Sequence, residues 1–252
     1  MTLNSETGRL RHRADSSYSC GEETRNRLIE VAIRLFGERG YEGTSTRDIA
    51  RQAGVNTPAV QYYFDNKEGL YRACREHLGA TADAYFGPML DEAEAILQNE
   101  QASREDMIEV FSRMQETIAD YLLRDDKAQQ RGLFRAQEQA GRGGIAEDQQ
   151  NLGTRRLTRV GAALVARLSG LSAEDPLTLL RLITANGQLM VFHIVPRATL
   201  GAIGWQGMDE DNLSLLKKVV REQTRALIDS WHSQGFRAQP PDMSKTGEGE
   251  TR

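Results

Sequence analysis

Between residues 45 and 67 the chain carries side chains whose types and spacing suit recognition of a nucleic-acid duplex. The carboxamide of Gln61 is the kind of group that pairs bidentately with an adenine edge, and Thr57 offers either a hydroxyl or a methyl contact to thymine. The phenols of Tyr62 and Tyr63 and the ammonium of Lys67 suit phosphate oxygens, which set register without reading sequence. Arg47 is a candidate for either phosphate or guanine. Ser45 and Thr46 stand where one short helix would open, and Asn56, Pro58 and Ala59 where the next would.

Two short helices are needed to present these groups. The first opens at Ser45, with Asp48 placed as its capping-box partner, and ends at Gly54. The second is capped by Asn56 with Pro58 in its first turn, and ends near Phe64. Ile49, Ala50, Val55 and Val60 are spaced to hold the two at a fixed angle. Together they make a helix-turn-helix, which leaves the N-terminal side chains of the second helix free to enter a major groove. The shape alone also occurs in helical bundles with no DNA role.

Helical periodicity extends over most of the remaining chain. A helix from Glu22 carries Leu28, Ile29, Ala32, Ile33, Leu35 and Phe36 on one stripe and stops at Gly40. A fourth helix follows from Lys67 through Leu78. Others are expected over about 103–124, 127–140 and, after the GRGG break, 147–170. Asp175 caps a helix with Pro176 at its start, which runs to Pro196. A loop over Arg197–Gly207 precedes a last helix over 209–234. The fold class is all-α, with a seam near residue 75.

The stretch from Ile33 to Tyr71, IRLFGERGYEGTSTRDIARQAGVNTPAVQYYFDNKEGLY, resembles the signature ALFxxxGYxxTSxxxIAxxAGVxxxxxYxxFxxKExL of the tetracycline-repressor (TetR) family. Many spaced positions agree at once. Gln61 departs from the pattern, standing where tyrosine is common. The resemblance implies an N-terminal three-helix DNA-binding domain and a C-terminal helical bundle for ligand binding and dimerisation. It implies a homodimeric transcription factor, usually a repressor, released from a palindromic operator by a small-molecule effector. The segments AVQYYFDNKEGLY and LGAIGWQGM are similar to a subgroup with its own type of C-terminal domain. On this reading residues 1–21 are a disordered arm, 22–75 the DNA-binding domain, 76–236 the ligand and dimer domain, and 237–252 a disordered tail.

In the C-terminal part Asn186 and His193 share a helical stripe with Leu179, Leu182, Ile183, Leu189 and Met190. Polar groups on an apolar face need partners. They are candidates for an effector pocket, for a bond across a dimer interface, or for satisfied core positions. Phe111, Tyr121, Phe134, Arg135, Glu138 and Met190 are further pocket candidates, with a surface pair between Arg135 and Glu138 as the plainer alternative. The last helix offers Leu213, Leu216, Val220, Leu227 and Trp231 for a second copy, ordinary core being the alternative for Trp231. Arg9, Arg11, His12 and Arg13 are placed to track a minor groove, or simply to solvate a tail.

The chain has 32 Lys+Arg against 36 Asp+Glu, a net charge of −4, which excludes a polycationic binder. The balance is uneven: +2 over residues 1–75 and −6 over the remainder. DNA affinity is therefore expected to rest on two copies and placed contacts rather than on a general field. Cys20 and Cys74 show no ligand-like spacing, so neither a metal site nor a cofactor is expected, and a reducing cytoplasm is. Cys74 reads as a small buried hydrophobe, with a redox switch as the alternative. The first 21 residues lack the apolar core of a leader. No apolar run approaches the roughly 18 residues of a membrane span, so no integral membrane function and no membrane partner is expected. His12, His77, His193 and His232 fit no catalytic spacing, and no GxSxG or phosphate-binding glycine motif occurs, so no enzyme is expected. A competing reading is a helical carrier of small molecules without specific DNA binding.

Overall fold

A computed structural model describes residues 6–124, 126–139 and 152–233. They form ten helices and no strand. In chain order these are α1 (Glu6–Arg39), α2 (Thr46–Gln52), α3 (Thr57–Phe64), α4 (Lys67–Gln98), α5 (Arg104–Leu123), α6 (Asp126–Gln139), α7 (Leu152–Ser169), α8 (Pro176–Ile194), α9 (Pro196–Ala202) and α10 (Glu210–Ser233). The expected tail, the GRGG segment and the start at 147 lie outside the described residues. So do the side chains of Arg9, Arg11, His12, Arg13 and Cys20.

Most boundaries follow from local chemistry. Ser45 accepts from the Asp48 amide (3.1 Å) and Asn56 from the Ala59 amide (3.2 Å), which opens α2 and α3 at the expected caps. Gly54, at φ +68°, makes the reversal between them. Ser103 and Asp106 form a complete capping box at the head of α5. The Asp175 carboxylate caps α8 at the Leu177 amide (2.8 Å). The Asn56 side chain caps α3 from an exposed position, so Asn56→Ala is expected to cost about 1 kcal/mol in urea unfolding. An unchanged midpoint would mean that α3 does not depend on this cap.

Three expectations are corrected. α1 begins at Glu6, well ahead of Glu22, because an established helix extends through residues free of proline at little cost. Pro196–Ala202 is a short helix where a loop was expected, its first turn set by Pro196. α4 does not end at Leu78 but runs unbroken to Gln98, straight through the expected seam, with Pro88 inside it.

Two buried clusters sit on this frame. One gathers Leu28, Ile29, Phe36, Ile49, Val60, Leu70, Tyr71 and Cys74 from α1–α4. The other gathers Phe86, Leu90, Phe111, Met114, Leu164, Leu182, Leu189, Leu216 and Ile228 from α4, α5, α7, α8 and α10. A polar bridge crosses the second: Thr224 donates to the Gln115 carbonyl (2.6 Å), and both Gln115 and Gln188 donate to Ala185 O (3.0 and 2.9 Å). This network ties α5, α8 and α10 to one another.

Candidate nucleic-acid interface

α2 and α3 dock on α1 through Ile49, Ala50, Ala53, Val60 and Phe64, all buried in the first cluster. The opposite side of α3 is polar and open: Asn56, Thr57, Pro58, Gln61 and Tyr62 are exposed, Ala59 half-buried. Ser45 and Arg47 are exposed and Thr46 half-buried at the head of α2, beside a groove of about 710 Å³ lined also by Thr57, Gln61, Asn66 and Lys67. Tyr62 and Tyr63 divide. Tyr62 is 81% exposed, while Tyr63 is half-buried against the cluster beneath and meets Tyr62 edge-on at 4.9 Å. Lys67 is half-buried, with its ammonium over the Tyr41 ring at 4.2 Å. That cation–π contact places the charge at the groove rather than leaving it on a free tether.

Residues 28–74 match the family model described as bacterial regulatory proteins of the tetR family. Residues 107–230 match the model of the C-terminal domain of the HTH-type transcriptional dual regulator CecR. The CecR protein of Shigella flexneri is 31% identical over 204 residues, covering 79% of this chain and 89% of the relative. The chain belongs to the tetR family. IcaR of Staphylococcus epidermidis, a negative transcriptional regulator of a biofilm operon, is 38% identical over 53 residues, 21% of this chain and 29% of its own. The crystal structure of AibR in complex with isovaleryl coenzyme A and operator DNA shares the fold, with a TM-score of 0.56 at 14% identity over 79% of this chain and 97% of AibR. The chain is thus a tetR-family transcriptional regulator, all-α, with a helix-turn-helix near its N-terminus.

The C-terminal candidates of this tetR-family regulator separate on inspection. Phe111 is fully buried in the second cluster. Phe134, although on α6, is fully buried in the first cluster, 5.0 Å from the Tyr71 ring and edge-on to Phe36 at 6.4 Å. Glu138 pairs with Arg75 of α4 (2.7 Å) rather than forming a surface pair on its own helix. Burial pushes its carboxyl upward, while Arg75 and then Arg135 hold it down. These residues join α6 to the helix-turn-helix unit, which spacing along α6 alone does not reveal. Met190 is 36% exposed on the outer side of α8 and does not face the interior.

Tyr121, Arg135, Asn186 and His193 remain around α5, α6 and α8. The Arg131 guanidinium lies over the Tyr121 ring at 4.6 Å and donates to Tyr121 O (2.8 Å). Tyr121 Oη, Arg135 Nη2 and Asn186 Oδ1 are buried without a hydrogen-bond partner. The Nδ1 of His193 lies 3.2 Å from Leu122 O, a backbone partner for a half-buried histidine. Burial pushes the His193 imidazole below its ordinary value, with Arg131 and Arg135 adding to the effect against the Leu122 bond. Its ring occupies the space that a Cβ on Gly132 would take, so glycine permits the close approach of α6 and α8.

Of the residues expected at a dimer interface, Leu213, Leu216, Val220 and Trp231 are buried in the core of their own chain, while Leu227 is 40% exposed. Further uncovered apolar positions include Leu180, Ile183, Val191 and Ile194 on α8 with Leu215 and Val219 on α10. α8 also reaches a mean hydropathy of 1.2 over an 18-residue window with only 22% of it buried, enough by length and composition to span a membrane. That departs from the sequence expectation. Arg181, Asn186, Gln188 and His193 interrupt the helix, and Gln188 is tied into the polar bridge of the core. Cys74 is buried, and burial pushes its thiol well above the ordinary range, the condition of a packing residue rather than a redox switch.

Proposed function

We propose that this tetR-family chain acts as a homodimer on a palindromic operator, chiefly as a repressor that a small-molecule effector releases. The observation that carries the reading is the open polar face of α3, held by a buried apolar one. Thr57 and Gln61 contact base edges; Ser45, Thr46, Arg47, Asn56, Tyr62 and Lys67 contact phosphates, with Pro58 and Ala59 letting the backbone approach. Tyr63 supports α3 from beneath. The unit that contacts DNA comprises residues 22–75 and the effector and dimer unit 76–236, joined by the continuous α4. The regulatory function includes no catalytic step, and the site of action is the cytoplasm.

The second copy covers the exposed apolar faces of α8 and α10, where Leu180, Ile183, Ile194, Leu215 and Val219 lie open. Tyr121, Arg135, Asn186 and His193 face the effector. AibR, which shares the fold, is solved with both isovaleryl coenzyme A and operator DNA, which supports a two-ligand regulator here. An effector that favours a splayed dimer alters the roughly 34–36 Å spacing of the recognition helices and so weakens operator binding.

A mobility-shift titration against a palindrome from the protein's own promoter region tests the reading. Tight binding there and weak binding to random DNA at moderate salt is the expected result; equal affinity for both sinks it and favours the carrier reading. For the dimer, Ile183→Asp places a charge on the uncovered face without touching the core. Sedimentation is expected to give the 28.2 kDa monomer, with operator affinity lost because the two half-sites then bind independently. A variant that stays dimeric moves the interface elsewhere.

A further inference from the structure

Tyr41 lies in the bend between α1 and α2, outside any helix, yet its ring is fixed from two sides. It stacks on Phe36 of α1 with ring centroids 5.8 Å apart and planes 18° from parallel. It also meets Tyr71 of α4 edge-on at 5.1 Å. Phe36 and Tyr71 are both buried in the first cluster, so core side chains set the plane of the Tyr41 ring. Over that ring, at 4.2 Å from its centroid, stands the Lys67 ammonium.

Lys67 opens α4 and lines the groove it shares with Ser45, Thr57 and Gln61. Two carboxylates belong to the same neighbourhood: Glu42 lines that groove, and Glu68 follows Lys67 in the chain. Burial, then the charges of Glu68 and Glu42, push the Tyr41 phenol above its ordinary value, so both carboxylates act on the ring that holds Lys67. Among the described residues neither of them forms an ion pair with Lys67, whose fixed partner is the Tyr41 ring. The difference matters for a phosphate. A lysine drawn onto a carboxylate presents a neutral pair, whereas the face of an aromatic ring attracts the ammonium without supplying a counter-charge. The full positive charge then remains to displace a counterion from DNA.

We propose that Tyr41 is a positioning residue for duplex binding: its ring holds the Lys67 ammonium at the groove and out of ion pairs with Glu42 and Glu68, so that the charge meets a DNA phosphate. Tyr41 acts through Lys67 and not on the duplex directly. The inference deepens the assignment of Lys67 to phosphate made above and rests on it. Its energetic signature is coupling: the ring contributes to DNA affinity only while the lysine is present.

Anisotropy titrations of the full chain on a random duplex, repeated across a salt series, test this. Lys67→Ala is expected to weaken binding and to flatten the logarithmic salt slope by about one per chain. Tyr41→Leu keeps an apolar side chain without an aromatic face; about threefold to tenfold weaker binding and a flatter slope are expected. In a Lys67→Ala background the same change is expected to alter affinity by less than about twofold. Tyr41→Phe retains the face and should bind within about twofold of the parent. Glu42→Gln removes a competing carboxylate and is expected to restore Tyr41→Leu by a larger factor than it improves the parent. Because Tyr41→Leu also loosens the packing on Phe36, phenylalanines with increasing fluorination at position 41 supply a second series of nearly unchanged shape. Fluorine drains the ring face, so affinity should fall stepwise while the melting temperature holds. Additive losses in the double variant, or affinity that ignores fluorination, overturn the proposal. A loss with Lys67→Ala and none in either Tyr41 series removes only the role of Tyr41. No effect of Lys67→Ala removes the phosphate assignment and the inference with it.

Discussion

Phe134→Ala is expected to lower the unfolding free energy by about 3–5 kcal/mol. Phe134 is fully buried, and its ring packs between Phe36 of α1 and Tyr71 of α4, although its own helix lies beyond the end of α5. Alanine leaves a cavity in a core shared by two units, and its neighbours cannot collapse into it freely. Tyr71 is pinned edge-on between Phe36 (5.0 Å) and Tyr41 (5.1 Å), and α1 approaches α6 so closely at Gly37 that a Cβ there would lie 3.0 Å from Phe134 N. The melting temperature is expected to fall by roughly 10 °C. Phe134→Leu, which keeps most of the volume, should recover much of the loss. A drop below about 1 kcal/mol in the alanine variant would show that α6 is not anchored in this core.

Gln61→Ala is expected to weaken operator binding by about 1–3 kcal/mol at each half-site, so that two copies together lose from about thirtyfold upward. Gln61 is exposed and the first cluster does not include it, so the melting temperature should not change. Its carboxamide is the group on α3 best suited to an adenine edge, and the phosphate contacts survive the change. The loss should therefore fall on operator DNA and spare random DNA. Lys67→Ala should behave oppositely, weakening both kinds of DNA alike and flattening the salt dependence. Parallel titrations of both variants on both DNAs separate these roles. An equal loss on operator and random DNA for Gln61→Ala would remove it from base recognition, and no loss would remove it from the interface.

Much of this was legible in the chain before any coordinates. Caps at Ser45, Asn56 and Asp175 and the reversal at Gly54 act within a few residues of themselves, so spacing sufficed to place α2, α3 and α8. The open face of α3 was legible for the same reason: once Val60 and Phe64 must face the core, Thr57 and Gln61 face away. The two tyrosines were not separable, because neighbouring residues on so short a helix divide only when a third helix covers one of them.

The exposed apolar faces of α8 and α10 show where stripe reading fails. Leu213, Leu216 and Val220 form the better stripe on α10, and a stripe is what a helix turns toward its own core. The apolar surface left uncovered is the weaker residual one, Leu215 and Val219, continued by Ile183 and Ile194 on α8. A signal was present: α8 is apolar on more than one side, which a helix packed on one side alone does not need. Choosing which side remained required the positions of α5 and α10.

By itself, the sequence determined the helical class, the helix-turn-helix with its outward polar groups, the tetR-family membership and the division of charge along the chain. These depend on local propensity, capping and short-range periodicity, which involve residues within a turn or two of each other. Only the tertiary structure decided that Phe134 belongs to the core of the DNA-contacting unit, that Glu138 pairs with Arg75, and that Lys127 of α6 reaches Glu30 of α1. Each of these joins residues from helices far apart in the chain. Their meeting is set by how amphipathic faces share a limited number of neighbours, a property of the packed whole that no single helix encodes.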